Sequence, residues 1–227
     1  AVFPLRPCFK CNSCLSKEYN RCSDYSYYGS RVDGGLQTII DIDRWNLVPV
    51  PNNLDNISAS LIEPIAVCKH ASEFAENSLK ILLFGGGFLS QILSKILSTK
   101  NKNITCVDRN EYKKDFFAKD ISFNLTTSNL NDSSFDLVFE CSGAPIALEE
   151  CIRLSKPRGE IVQLANPDVK TNLSSIVISK FMRKEQKIIG TWNSLFRPDD
   201  SNLCDWKKSI EILLKNEINI KDLISHT

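Results

Sequence analysis

Between Lys80 and Leu97 the hydrophobic pattern changes period once. Ile81–Phe84 is a short, continuous apolar run, as expected of a strand buried on both faces, and Gly85, Gly86 and Gly87 follow it at once. Beyond them Phe88, Leu89, Ile92, Leu93, Ile96 and Leu97 recur at helical spacing. The pattern then keeps alternating. Ile104–Asp108 reads as a second buried strand and Phe135–Gly143 as a third that ends in small residues. Pro145–Ser155 reads as a helix with proline near its first turn, Gly159–Ala165 and Lys187–Trp192 as two more strands, and Trp206–Asn216 as a last helix. The stretch from Asp108 to Phe135 is short for a full strand–helix–strand unit, so a trimmed helix is expected there. Strands alternating with helices predict the α/β class with a doubly wound parallel sheet. A ligand of such a sheet lies beyond the strand C-termini, here near Gly85–Leu89, Asp108, Cys141–Gly143, Leu164–Asn166 and Thr191–Asn193.

The glycine turn suggests which ligand. Glycines let the backbone turn tightly and approach a pyrophosphate seated at the positive end of the following helix. The third position of that fingerprint is Ser90, small enough for close helix–strand packing. Asp108 ends the next strand, where a carboxylate accepts hydrogen bonds from ribose hydroxyls and repels a 2′-phosphate. That favours NAD over NADP, a preference that Arg109 directly after it softens. The plainer reading of Asp108 is a solvated charge at a strand end. The candidate cofactor contacts are Gly85, Gly87, Phe88, Leu89, Asp108, Arg109, Cys141, Ser142, Leu164 and Thr191.

Charge and composition narrow the class. With 28 basic against 27 acidic residues, the chain projects no field for nucleic acid. No apolar run approaches the roughly 20 residues of a membrane span. Nine cysteines are present, and four fall in CFKCNSCLSKEYNRC as Cys8, Cys11, Cys14 and Cys22. Cysteines two residues apart turn their sulfurs toward one ion, and a fourth closes an all-thiolate shell with no open position, which makes a structural zinc site. Two disulfides are the alternative, disfavoured because the other five cysteines sit singly among apolar neighbours as reduced thiols do. A nucleic-acid zinc module would need paired knuckles and a basic face. The cytoplasm is the expected compartment.

A structural four-cysteine loop ahead of a dinucleotide fold resembles the zinc-dependent medium-chain dehydrogenases. The resemblance rests on CFKCNSCLSKEYNRC, GSRVDGG (Gly29–Gly35), LIEPIAVCKHA (Leu61–Ala71), the GGGFLS turn, FECSGAP and KFMRKEQKIIGTW (Lys180–Trp192), with the polyol and sugar-phosphate branch nearest. It implies a partial GroES-like, β-rich catalytic domain over 1–68, a Rossmann NAD domain over 69–204 and a returning helix over 205–227. It also implies a second, catalytic zinc that lowers the pKa of a substrate hydroxyl before hydride passes to the nicotinamide. In the family that zinc is held by a cysteine and a Gly-His-Glu motif preceding the structural cluster. This sequence starts after both, so it is expected to be part of a longer chain. Glu63 matches the family's remaining zinc-site residue, as ligand or as holder of the zinc-bound water; read alone it is an acid in a helix first turn. His70 is expected in the core rather than on a metal. Leu36–Ile39 replaces a family strand and is still expected to be a strand, and Ser30 and Arg31 are candidates to meet a polyol or its phosphate. The implied partners are a small-molecule polyol or sugar phosphate and a second copy of the chain, as dimer or tetramer, with no nucleic acid and no membrane. Rival readings are a threonine- or butanediol-type alcohol dehydrogenase and a non-catalytic zinc- and NAD-binding module.

Overall fold

The computed structural model describes residues 1–100, 102–167, 170–200, 202–218 and 223. They fall into two compact units. One combines Ala1–His70 with Trp192–Ile218, and the other is built on Ala71–Thr191.

In the first unit β1 (Leu5–Arg6) pairs antiparallel with β2 (Ser26–Tyr27). Helix α1 (Asn12–Leu15) lies in the cysteine loop, and α2 (Asn56–Ser60) and α3 (Ile62–Ser72) follow it. The centre is aromatic. Phe3 stacks on Phe196 at 4.2 Å and meets the edges of Trp45 and Trp206 at 5.9 and 5.6 Å. Buried Asn46 donates to the Phe3 and Leu5 carbonyls at 2.6 and 2.8 Å, so the extended N-terminal segment is held without a full sheet. The expected strand at Leu36–Ile39 does not form. Leu36 and Ile39 are 106% and 82% exposed, and no described segment offers that stretch a ladder. A strand is stabilised by its cross-strand partner, so apolar β-formers alone do not make one.

The second unit is a six-stranded parallel sheet made of β3 (Lys80–Phe84), β4 (Asn103–Val107), β5 (Ser122–Asn124), β6 (Phe135–Glu140), β7 (Ser155–Gln163) and β8 (Lys187–Gly190). Their spatial order is β5-β4-β3-β6-β7-β8, with every neighbouring pair parallel. The winding reverses between β3 and β6, and a reversal opens a crevice at the strand C-termini. Helix α4 (Phe88–Ser98) joins β3 to β4 and α5 (Ala147–Leu154) joins β6 to β7. Leu82, Val138, Ile152 and Ile161 are among the side chains of the buried core. The short connection is trimmed as its length suggests, with two 3-10 turns, Glu111–Phe116 and Thr127–Asn129, standing where a helix would run.

Helix α6 (Ser175–Arg183) precedes β8, and its Ser174 cap was not singled out from the sequence. The RKEQ stretch after it has a structural task. Lys184 Nζ donates to the carbonyls of Ile152, Arg153 and Ser155, each at 3.0 Å, and Gln186 Nε2 adds bonds to Ile152 and Ser155 at 3.0 and 2.9 Å. An ammonium at a helix C-terminus meets the orphaned carbonyls and the negative end of the dipole, so these residues close α5. The chain then returns to the first unit through α7 (Asp205–Leu214), which buries Trp206. Of the expected 205–227 segment, all residues past 218 except Leu223 lie outside the described residues.

Candidate functional site

The turn after β3 is set by what a side chain would hit. Gly85 has φ +102°, and a Cβ there would lie 2.9 Å from Ser142 Cβ and 3.0 Å from its nitrogen. At Gly86 a Cβ would come within 3.2 Å of Asp108 Cβ, whereas at Gly87 it would meet nothing within 4 Å. Two first-turn side chains of α4 fix the loop from behind. Ser90 Oγ donates to the Gly85 carbonyl and Gln91 Nε2 to the Gly86 carbonyl at 3.2 Å. Ser90 thus does more than save space. No side chain caps α4 at Gly87, so the positive end of the helix opens onto the unfilled space beside that glycine. Phe88 is 41% exposed at the helix start, and Leu89 beside it is half-buried.

Asp108 caps the adjacent strand. Its side chain is 8% exposed, which replaces the picture of a solvated strand-end charge. Oδ2 accepts from Gly86 N at 2.7 Å and Lys113 Nζ at 2.7 Å, and Oδ1 accepts from Asn110 N at 2.9 Å. Burial pushes the carboxyl upward, but these donors and the Lys113 charge outweigh it and hold the group below the usual aspartate range. Arg109 is exposed. Lys113 escaped the sequence reading because nothing local marks it among the lysines around it; the 3-10 turn brings it onto Asp108.

Across the winding reversal, the segment after β6 is organised by Glu140, 1% exposed. Its carboxylate accepts from Ser142 N at 2.8 Å, Ser142 Oγ at 2.5 Å, Gly143 N at 3.0 Å and Gln163 Nε2 at 2.5 Å. Gly143 has φ +67°, and a Cβ there would sit 2.4 Å from the Asn166 carbonyl oxygen. Cys141 is half-buried and burial raises its thiol to about 12, which disfavours a nucleophilic thiolate there. Leu164 N donates to the Glu140 carbonyl at 2.9 Å and Thr191 N to the Gln163 carbonyl at 3.2 Å, which places both at strand ends of the same sheet. Thr191 Oγ1 is buried without a hydrogen-bond partner among the described residues. An orphaned hydroxyl at one end of the crevice and a glycine cradle at the other fit a long ligand with polar groups along its length.

In the first unit Cys8, Cys11, Cys14 and Cys22 converge as free thiols, with ligand atoms all within 4.8 Å of one another. Cys11 and Cys22 sulfurs are 3.9 Å apart, against an edge of about 3.8 Å for a tetrahedron with 2.3 Å zinc–sulfur bonds. Amide donors face the sulfurs. Cys8 N lies 3.2 Å from Cys22 Sγ, and hydrogen bonds from the Cys14 and Ser23 amides draw the Cys11 thiol down to about 6. Burial drives Cys14 the other way, to about 12. The donor set fits zinc. Its loop is keyed to the aromatic centre through Phe9 and Tyr19, whose rings meet Trp45 at 5.0 and 4.9 Å.

Glu63 lies in the first turn of α3, half-buried, and burial raises its carboxyl. Tyr27, not singled out from the sequence, is its neighbour. Burial lifts the phenol to about 12, the Glu63 charge adds to that, and a hydrogen bond with Asn193 opposes it. His70 Nδ1 faces the buried carboxylate of Asp205 at 3.3 Å, in the core as expected. Ser30 and Arg31 are exposed in the turn after β2.

Comparison with known proteins gives a consistent picture. A zinc-binding dehydrogenase family model matches residues 92–209, about half of the chain. Galactitol 1-phosphate 5-dehydrogenase of Escherichia coli K12 is 26% identical over 240 residues, covering 100% of this chain and 69% of the relative. A sorbitol dehydrogenase of Halalkalibacterium halodurans is 25% identical over 239 residues, covering 96% and 66%. In fold, the chain matches the crystal structure of Escherichia coli galactitol-1-phosphate dehydrogenase with a TM-score of 0.85 at 24% identity, over 100% of this chain and 69% of that one. It matches Escherichia coli L-idonate 5-dehydrogenase with a TM-score of 0.83 at 21% identity, over 98% and 66%. The chain therefore spans about two thirds of the length of these proteins. No helix among the described residues is long and apolar enough to cross a membrane.

Proposed function

The chain belongs to the zinc-binding dehydrogenase family, and from that premise we propose that it serves an NAD-linked oxidation of a secondary hydroxyl on a polyol or sugar-alcohol phosphate. The contact that carries the cofactor half of this reading is Gly86 N on Asp108, which joins the glycine turn to the acidic end of the next strand at 2.7 Å.

In this reading the open face beside Gly87 and the positive end of α4 receive the pyrophosphate. Phe88, Leu89 and Arg109 flank it. Asp108 holds the adenosine ribose with whatever acceptor capacity its three donors leave. Cys141, Ser142 and Leu164 line the other half, and Thr191 offers its unused hydroxyl. Cys8, Cys11, Cys14 and Cys22 hold a structural zinc that fixes the loop and takes no part in the chemistry. When bound, NAD accepts the hydride and a catalytic zinc polarises the substrate hydroxyl. Glu63 is the residue of this chain assigned to that second metal, as a ligand or through water, and its burial makes a bare charge costly there and a cation welcome. Tyr27 and Asn193 position beside it.

Galactitol 1-phosphate and sorbitol, the substrates named for two relatives, are the first to test. The zinc-loaded full chain is incubated with NAD or NADP and each compound, and reduced cofactor is followed by absorbance. Turnover with either polyol and NAD is expected. Oxidation of threonine or butanediol with neither polyol touched would move the protein to another branch. Absence of NAD binding by calorimetry would reject the dehydrogenase reading and leave a zinc-bearing module.

A further inference from the structure

Arg31, offered by the sequence together with Ser30 as a contact for a polyol or its phosphate, has its guanidinium held in place. The turn that carries it is tight. Gly29 adopts φ +87°, Gly29 N donates to the Val32 carbonyl at 2.9 Å, and Arg31 N donates to the Tyr27 carbonyl at 3.0 Å. From that turn the guanidinium carbon lies 3.9 Å from the centre of the Tyr25 ring, and Nη1 donates to the Tyr25 carbonyl at 2.5 Å. Stacking covers a face of the guanidinium and leaves its in-plane N–H donors at the edge. A guanidinium has five such donors, and among the described residues a single one is used here. Two arginines lie over a tyrosine ring; Arg6 over Tyr28 is paired with Asp43, whereas Arg31 over Tyr25 has no carboxylate partner among the described residues. An exposed arginine stacked on a ring and without a carboxylate partner among the described residues is pre-organised for an oxyanion.

The surroundings indicate where that anion belongs. Tyr25 tilts against Trp192 at 6.3 Å, and the Trp192 carbonyl is held by Asn20 Nδ2 at 3.2 Å, so the cysteine loop braces the stack. Tyr25 also stands edge-on to Tyr27 at 6.5 Å, and Tyr27 is the phenol that feels the Glu63 charge. Arg31 therefore sits one aromatic ring beyond the residues assigned to the reacting hydroxyl. We propose that Arg31 recognises the phosphate of a sugar-alcohol phosphate whose distal hydroxyl is oxidised near Glu63. This deepens the function proposed above and rests on it for the organic part of the substrate, though not for the anion. A stacked guanidinium favours a phosphate monoester over a free polyol, because its fork binds a phosphate through two charge-assisted hydrogen bonds and a hydroxyl through one weaker bond.

The test compares galactitol 1-phosphate with galactitol as substrates of the zinc-loaded full chain and its Arg31→Met and Arg31→Lys variants. Met keeps much of the stem on Tyr25 and removes the charge. It should raise KM for the phosphate ester at least about tenfold, about 1.4 kcal/mol, with kcat within about twofold and galactitol kinetics unchanged. Lys should fall between. An equal change for both substrates, or none, overturns the proposal. Calorimetric titration with galactitol 1-phosphate and with inorganic phosphate separates the two claims. Saturable binding of both that is lost in Arg31→Met supports the anion site even if neither polyol is oxidised, in which case it is the dehydrogenase reading that falls. A wild-type chain that oxidises galactitol but binds neither phosphate compound overturns the anion site alone.

Discussion

Replacing Lys113 by Met tests how the cofactor crevice sets its charge. The ammonium lies 2.7 Å from Asp108 Oδ2, and the two side chains are 21% and 8% exposed. With Lys113 present, the carboxylate is locally neutralised, and a 2′-phosphate approaching it meets a paired acid rather than a bare one. Removing the lysine charge exposes that phosphate to an uncompensated carboxylate. For unit charges about 6 Å apart and an effective dielectric constant of about 20, the lost compensation is about 3 kcal/mol. Partial exposure and salt reduce it to about 1.5–2 kcal/mol, or about 10- to 30-fold in binding. NADH carries a neutral hydroxyl at that position, and the variant frees one acceptor site on Asp108, so its affinity should change by less than about threefold. The NADPH-to-NADH ratio of Kd values, measured by calorimetry in one buffer for wild type and Lys113→Met, should thus rise about 10- to 30-fold. Lys113→Arg should leave it nearly unchanged. An unchanged ratio in the Met variant, or a shift toward NADPH, would refute the assignment of Asp108 and Lys113 to the ribose end of the crevice.

Three further outcomes follow from the geometry. Stripping zinc with a chelator, or the change Cys14→Ser, should lower Tm by about 5–10 °C and alter tryptophan emission, because the cysteine loop packs on Trp45 through Phe9 and Tyr19; identical melts and spectra with and without chelator would contradict it. Gly85→Ala should cost about 3 kcal/mol in a urea titration followed by circular dichroism, since Cβ would meet Ser142 at 2.9 Å with φ at +102°, while Gly87→Ala should fold normally and lose only cofactor affinity. In acid, stability should fall through the titration of Asp108 and Asp136. For both, burial works upward but hydrogen bonds, from Lys113 and Lys156 foremost, hold the folded value below the unfolded one, so their contribution is present above about pH 4 and is lost as pH drops through the lowered values; a stability–pH curve flat below pH 4 would show these pairs to be unimportant.

Wherever the information was local, the sequence carried it. The strand–glycine–helix unit, the parallel sheet and the trimmed connection after Asp108 are all present, because hydrophobic period and glycine placement act over a few residues. The C-x2-C-x2-C-x7-C spacing brings its four sulfurs together for the same reason, since a loop of fifteen residues has few ways to arrange them. Elements that depend on a distant partner were not legible. Leu36–Ile39 has a composition that suits a strand but no ladder on which to form one. Lys113 became important by reaching Asp108, Lys184 by reaching the carbonyls that end α5, and Tyr27 by lying near Glu63 and Asn193. Arg31 was a candidate from its sequence for a polyol or its phosphate, but the Tyr25 ring beneath its guanidinium is a product of the fold. Chain propensity decides which elements can exist, but the hydrogen bonds and charges of a site are decided by which side chains meet across the fold, and only packing determines that.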